Sequence, residues 1–217
     1  VLCKILTREY FMRRGRLVVL EGWEGSGKTT ILNRLRDIAD PDKMILTREP
    51  GGSEMAEQIR NLIFSEGGKG LSPDAQFHLF WAARADHIDK KILPALSQGV
   101  DVVSDRFDAS TFAYQIFGEE HHRLKNSFRF NREEMFAGRI VPTYIYLDID
   151  PEVGLLRRRG AKDGNHFDEK NIEFHRRVRQ GYREFIQFAR VVEIDASGSA
   201  EEVWNAFYEK LLEELSR

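Results

Sequence analysis

Gly22-Trp23-Glu24-Gly25-Ser26-Gly27-Lys28-Thr29 is a complete G-x-x-x-x-G-K-[ST] pattern, and its surroundings decide how the rest of the chain is read. Ahead of it lies a short apolar run, Arg16 to Glu21. Behind it, Thr29 to Ile38 has helical spacing. A glycine-rich turn from strand to helix is a phosphate loop. Glycine tolerates positive φ and close backbone approach, so successive amide protons can surround phosphate oxygens, and the helix N-terminus adds partial positive charge. Gly22, Gly25, Ser26, Gly27, Lys28, Thr29 and Thr30 are therefore expected to bind a nucleoside triphosphate. In such a loop the lysine neutralises the transferring phosphate and the threonine hydroxyl holds Mg²⁺, roles that fall to Lys28 and Thr29.

Further along, short apolar runs recur at Lys43 to Thr47, Val100 to Ser104, Thr143 to Asp148 and Val191 to Ile194, separated by long amphipathic segments. The clearest helix spans Pro73 to Ser97, capped by Ser72 and opened by Pro73, with Pro94 expected to kink or end its last turn. A C-terminal helix from Ala200 to Leu215 places Val203, Trp204, Phe207, Leu211, Leu212 and Leu215 on one stripe. Strands alternating with helices predict an α/β protein of the P-loop NTPase fold. Its five-stranded parallel sheet is flanked by helices on both faces, with the chemistry at the carboxyl ends of the strands.

With 217 residues and no repeat, low-complexity run or linker, one domain over residues 15–217 is expected, after an extension, 1–14, in which Met12 offers an alternative start. Thirty-three Lys and Arg against 35 Asp and Glu leave a net charge of −2, which excludes a general electrostatic pull toward nucleic acid or anionic membrane. No stretch approaches the roughly 20 apolar residues of a membrane-spanning helix. Cys3 stands alone, excluding internal disulfides and favouring a reducing, cytoplasmic setting.

Asp105, ending the third apolar run, is placed to face the phosphate loop and help hold Mg²⁺; its competing role is to cap the next helix. Arg48, Arg84 and Arg106 gather near the same edge, where guanidinium forks can clamp an anionic substrate, unless each is spent in a surface ion pair.

With these residues in view, the chain resembles thymidylate kinases of the bacterial type over about residues 15 to 216. The resemblance rests on the phosphate loop and on Thr47-Arg48-Glu49-Pro50-Gly51-Gly52, Phe80-Trp81-Ala82-Ala83-Arg84, the stretch from Asp105-Arg106-Phe107 to Tyr114-Gln115, and Tyr146-Leu147-Asp148-Ile149-Asp150-Pro151-Glu152. It implies phosphorylation of dTMP to dTDP with ATP and Mg²⁺, in dTTP biosynthesis, by a homodimer. It further implies that Glu24 meets the deoxyribose 3′-hydroxyl, that Arg48 and Arg106 grip the dTMP phosphate, and that Phe80 stacks on thymine. Arg84 would bond a thymine carbonyl, Ser110 and Thr111 would line the base pocket, and Tyr114 would crowd the sugar 2′ position. Without the resemblance, Phe80 and Tyr114 read as core aromatics.

Between Arg157 and Arg183, nine Lys or Arg stand against four Asp or Glu. A solvated helix face and an RNA-binding surface compete here with a mobile lid, at about residues 157–170, that folds over ATP. The resemblance favours the lid, because the bacterial type carries its catalytic arginine there and none inside the phosphate loop. Here the family's Asp-Arg-x-Glu lid element aligns with Asn165-His166-Phe167-Asp168, so His166 stands at the arginine position and Arg157, Arg158 and Arg159 become the candidates. Phe107 replaces the family's usual Tyr or His. His121-His122 reads as an exposed loop pair rather than a metal site. Three alternatives are a kinase with another acceptor, a catalytically weakened homologue, and a GTPase-like switch, which would need an Asn-Lys-x-Asp that is absent.

Overall fold

Leu17-Val18-Val19-Leu20 has no polar face to offer water, and the strand it begins, β1 (Leu17–Gly22), is buried on both sides. The computed structural model describes residues 13–158 and 170–217; Arg159 and His166 of the expected lid, and most of the expected extension, lie outside them. Four further strands are β2 (Met44–Arg48), β3 (Asp101–Asp105), β4 (Thr143–Asp148) and β5 (Val191–Asp195). All pair in parallel in the order β2-β3-β1-β4-β5. Because β1 feeds a crossover to one side of the sheet and β3 to the other, their carboxyl ends open a crevice between them. Arg48 lies opposite Asp105, and Leu20 opposite Asp105 and Ile145, so β2 and β3 end level with each other while β1 runs two residues further, to Gly22.

Four of the strands end one residue beyond their apolar runs, whereas β4 coincides with its run. Hydrogen bonding, not side-chain polarity, sets their ends: Val102 N–H donates to the Arg16 carbonyl at 2.8 Å, and Glu49 N–H to the Asp105 carbonyl at 2.9 Å, which carries pairing out to charged residues. Arg13 and Arg14, assigned by sequence to the extension, are tied to the domain through Asp101, at 2.7 Å, and the Arg139 carbonyl.

The helices are α1 (Lys28–Ile38), α2 (Glu54–Phe64), α3 (Pro73–His87), α4 (Asp108–Thr111), α5 (Lys125–Phe136), α6 (Pro151–Arg158), α7 (Ile172–Phe185) and α8 (Ala200–Ser216). Pro94 does not end the long helix. The chain continues from α3 through a π turn, Ile88–Ile92, into Leu93–Ser97, and Leu93 N–H donates to Ile88 five residues back. Proline supplies no donor for the next α-helical bond, and the wider turn absorbs the loss. A second π turn, Phe112–Gly118, extends α4. On α8 the buried stripe is Val203, Phe207 and Leu211, whereas Leu212 is half exposed and Glu214 is buried in its stead, paired with Arg190 at 2.5 Å. Leu212 follows Leu211 by one residue, 100° round the helix, and that rotation carries it to solvent. Among the described residues no helix is long and apolar enough to cross a membrane.

Candidate active site

Gly25 (φ 76°) and Gly27 (φ 93°) adopt the left-handed backbone the loop needs, Gly27 standing immediately before α1. No acidic residue occupies the first turn of α1, so its amide dipoles remain favourable to an anion. Lys28 is buried and its ammonium donates to the Gly22 and Trp23 carbonyls at 2.8 and 3.0 Å. Burial first, and the Arg106 guanidinium second, bring its pKa down to about 8. A phosphate beside it would favour the charged form. Ser26 Oγ is buried with no partner among the described residues.

Across the crevice, β3 delivers Asp105 and Arg106. Arg106 takes a left-handed φ of 66°, a strain of about 1 kcal/mol or more for a residue with a Cβ, and its N–H donates to the Leu20 carbonyl at 3.0 Å. Its guanidinium reaches Gly22 O (3.3 Å), Ser110 Oγ (3.1 Å), Tyr182 Oη (3.3 Å) and the Glu24 carboxylate, joining the phosphate loop to α4 and α7. Asp105, Thr29 and Arg48 line one recess, and Asp105 Oδ1 is buried with no partner among the described residues. No group of three His, Cys, Asp or Glu among those residues could cage a metal ion, His121 and His122 included. One free carboxylate oxygen near a hydroxyl suits Mg²⁺, which takes few protein ligands and completes its shell with phosphate and water oxygens.

A second recess opens beside the first. Pro50, Phe64, Phe80, Phe107 and Tyr114 form its apolar walls, with Glu24, Glu49, Arg84, Arg106, Ser110, Thr111 and Gln115 as its polar lining. Arg84 lies between the rings of Trp81 and Phe107, at 4.6 and 5.2 Å. Its Nε donates to Glu49 at 2.8 Å and its Nη2 to Thr111 at 3.1 Å, whereas buried Nη1 has no partner among the described residues. Glu49 also bonds His87 Nδ1 at 3.0 Å, and His87 Nε2 meets Thr47 Oγ1 at 2.8 Å. The three arginines expected to share one anion are therefore divided. Arg84 answers Glu49 inside the base-sized recess, Arg48 is half exposed and pairs with Glu57 at 2.9 Å, and Arg106 lines the base-sized recess while bonding Gly22 of the phosphate loop.

The basic excess has a local explanation where it is described. On α7, Arg176 pairs with Glu152 and Glu173, Arg177 with Glu120, and Arg179 and Arg183 with Asp148. Arg157 is committed to the loop after β5, donating to the carbonyls of Ala196 (2.6 Å), Ser197 (2.5 Å) and Gly198 (2.9 Å). The side chain of Arg158 lies outside the described structure.

Some residues at the site had no role in the sequence. Glu49, Pro50 and Gln115 stood inside conspicuous motifs, which was their only signal. Glu21 is fully buried and accepts from Phe107 N, Ser110 N, Ser110 Oγ and Tyr182 Oη at 2.7 to 3.1 Å. Neither Glu21 nor Tyr182, 161 residues away, carried a sign of that contact.

A family model described as thymidylate kinase matches residues 20–206. The chain belongs to the thymidylate kinase family. The thymidylate kinase of Hahella chejuensis is 37% identical over 212 residues, spanning 94% of this chain and 100% of that one. That of Bradyrhizobium diazoefficiens is 40% identical over 212 residues, spanning 92% and 91%. The solved structure of thymidylate kinase from Ehrlichia chaffeensis has a TM-score of 0.70 at 27% identity and covers 92% of this chain and 99% of that one. Membership in the thymidylate kinase family makes this chain an enzyme that phosphorylates dTMP in dTTP synthesis, and it sets aside the GTPase-like switch.

Proposed function

We propose that ATP lies on the phosphate loop, that dTMP fills the aromatic recess, and that the γ-phosphoryl group passes between them in line. The observation that supports this most is the link between the base recess and the phosphate loop: Arg106 and Glu24 line that recess, and the Arg106 guanidinium also bonds Gly22 at the mouth of the loop. A phosphate on dTMP would meet Arg106, and Arg48 from the neighbouring strand, where charge develops during transfer. Phe80 stacks on the base, Arg84 Nη1 donates to one of its carbonyls, and Ser110 and Thr111 line its edge. Glu24 accepts from the 3′-hydroxyl, and Tyr114 leaves a 2′-hydroxyl neither room nor a partner. Lys28 and the amides of Gly22, Gly25, Ser26, Gly27, Thr29 and Thr30 hold the donor phosphates.

Thr29 and Asp105 would hold Mg²⁺, which supplies charge neutralisation at the donor phosphates when bound. Arg157 holds the loop after β5 on the donor side. Assembly as a homodimer and a cytoplasmic setting complete the proposal, the second supported by the lone Cys3.

Mg²⁺-dependent ADP release, measured with dTMP, dUMP, UMP, CMP and AMP as acceptors, tests the assignment. A strong preference for dTMP is expected. Equal turnover with UMP would remove Tyr114 from its sugar role, and equal turnover with AMP would remove Arg84 and Phe80 from theirs.

A further inference from the structure

Trp23 holds the first variable position of the phosphate loop and is wholly buried. Its indole N–H donates to His175 Nδ1 at 2.9 Å, the rings meeting edge to face at 4.7 Å. An indole nitrogen can only donate, so Nδ1 must present a lone pair and the imidazole proton sits on Nε2. Nε2 faces the Lys170 carbonyl at 3.1 Å, which accepts that proton's hydrogen bond. The tautomer is thus set from both sides. Burial also holds the His175 pKa below its ordinary value, keeping the ring in its accepting form. On the Trp23 side, the indole packs against Gly154 so closely that a Cβ there would lie 2.2 Å from the ring. The Trp23 carbonyl is one of the two oxygens holding the Lys28 ammonium. One hydrogen bond and one residue of backbone therefore connect α7 to the phosphate-loop lysine.

We propose that His175 is a positioning residue for the phosphoryl donor: by anchoring the Trp23 indole it sets the Trp23 carbonyl, and with it Lys28, against the donor phosphates. This rests on the assignment of ATP to the phosphate loop. His175 itself touches neither substrate.

Steady-state kinetics of four variants test it, with Lys28→Ala as the control on the donor site. His175→Phe keeps a ring but sets carbon against a buried donor, and should raise the ATP KM about tenfold while the dTMP KM stays within about twofold. His175→Asn offers an amide oxygen to the same indole and should return the ATP KM to within about threefold of the parent. Trp23→Phe should raise the ATP KM as His175→Phe does. The double variant should be no worse than either single one, because a hydrogen-bonded pair fails as a unit. Parallel rises in both KM values, a fall in melting temperature with both KM values unchanged, or single effects that add in the double variant would each overturn the proposal. Normal turnover by Lys28→Ala would instead locate the donor elsewhere, and the loop assignment would fail first.

Discussion

Glu21 shows how much the last residue of an apolar run can carry. Its carboxyl group is fully buried at the end of β1, and burial, outweighing the Arg106 charge and four hydrogen bonds, raises its pKa from 4.5 to about 7. In the unfolded chain the same group titrates near 4.5. Between these values the folded protein binds the proton that the unfolded chain has lost, so stability falls as pH rises. The contribution of Glu21 is complete below about pH 4.5 and is lost as pH rises through about 7. Glu21→Gln removes the titration and keeps an oxygen for the Phe107 and Ser110 amides. The stability of the parent relative to that variant should drop by about 3 kcal/mol between pH 4.5 and 7.5, read from urea unfolding at each pH. Parallel pH profiles for the two proteins would show that Glu21 is ionised throughout.

Elements were legible where one short window held both their pattern and their boundary, and less so where a distant partner decided. Ser72 and Pro73 announced the start of α3 because cap and first turn are sequence neighbours, and Ser72 Oγ does accept from Ala75 N–H, at 3.3 Å. The π turn before Pro94 was not announced, because the choice between ending a helix and widening one turn depends on what the helix packs against. The apolar stripe of α8 matches the buried one at Val203, Phe207 and Leu211, yet Glu214 shares it because Arg190 and Arg217 pair with its carboxylate. The contact between α6 and the phosphate loop was equally invisible, and it has a measurable consequence. At an open helix position Gly→Ala gains about 1 kcal/mol. At Gly154 the new Cβ would fall 2.2 Å from the Trp23 ring and 2.6 Å from the Glu24 carbonyl oxygen, and backbone cannot give way as a side-chain end can. Overpacking of this kind costs about 1–3 kcal/mol, so Gly154→Ala should be destabilised by roughly 1 kcal/mol, with a raised ATP KM. A stabilised variant with unchanged kinetics would mean that α6 rests loosely on the loop.

Across the whole molecule, the order β2-β3-β1-β4-β5 turns separate motifs into one crevice. Contiguous motifs displayed their residues in the sequence: the phosphate loop, Arg48 with Glu49, Arg84, and the run from Asp105 to Tyr114. What stayed hidden was pairing across long separations, such as His87 with Glu49 and His175 with Trp23, since nothing in a window of ten residues records what stands on the next helix. The same order keeps the two recesses apart, with Thr29 and Asp105 lining one, Phe80 and Arg84 the other, and Arg106 at the base recess bonded to Gly22 of the loop. Their ligands should therefore stabilise the fold through different side chains. A ligand at 100 times its Kd adds about 2.7 kcal/mol, worth roughly 5–10 °C in a chain of this size. Mg²⁺-ADP and dTMP should each raise the melting temperature of the parent by that much. Lys28→Ala should lose the ADP shift and keep the dTMP shift. Arg84→Lys retains a charge for buried Glu49 but not the Nη1 donor, and should lose most of the dTMP shift while keeping that of ADP. Loss of both shifts in either variant, read by differential scanning fluorimetry at fixed ligand excess, would show that the two recesses act as one site.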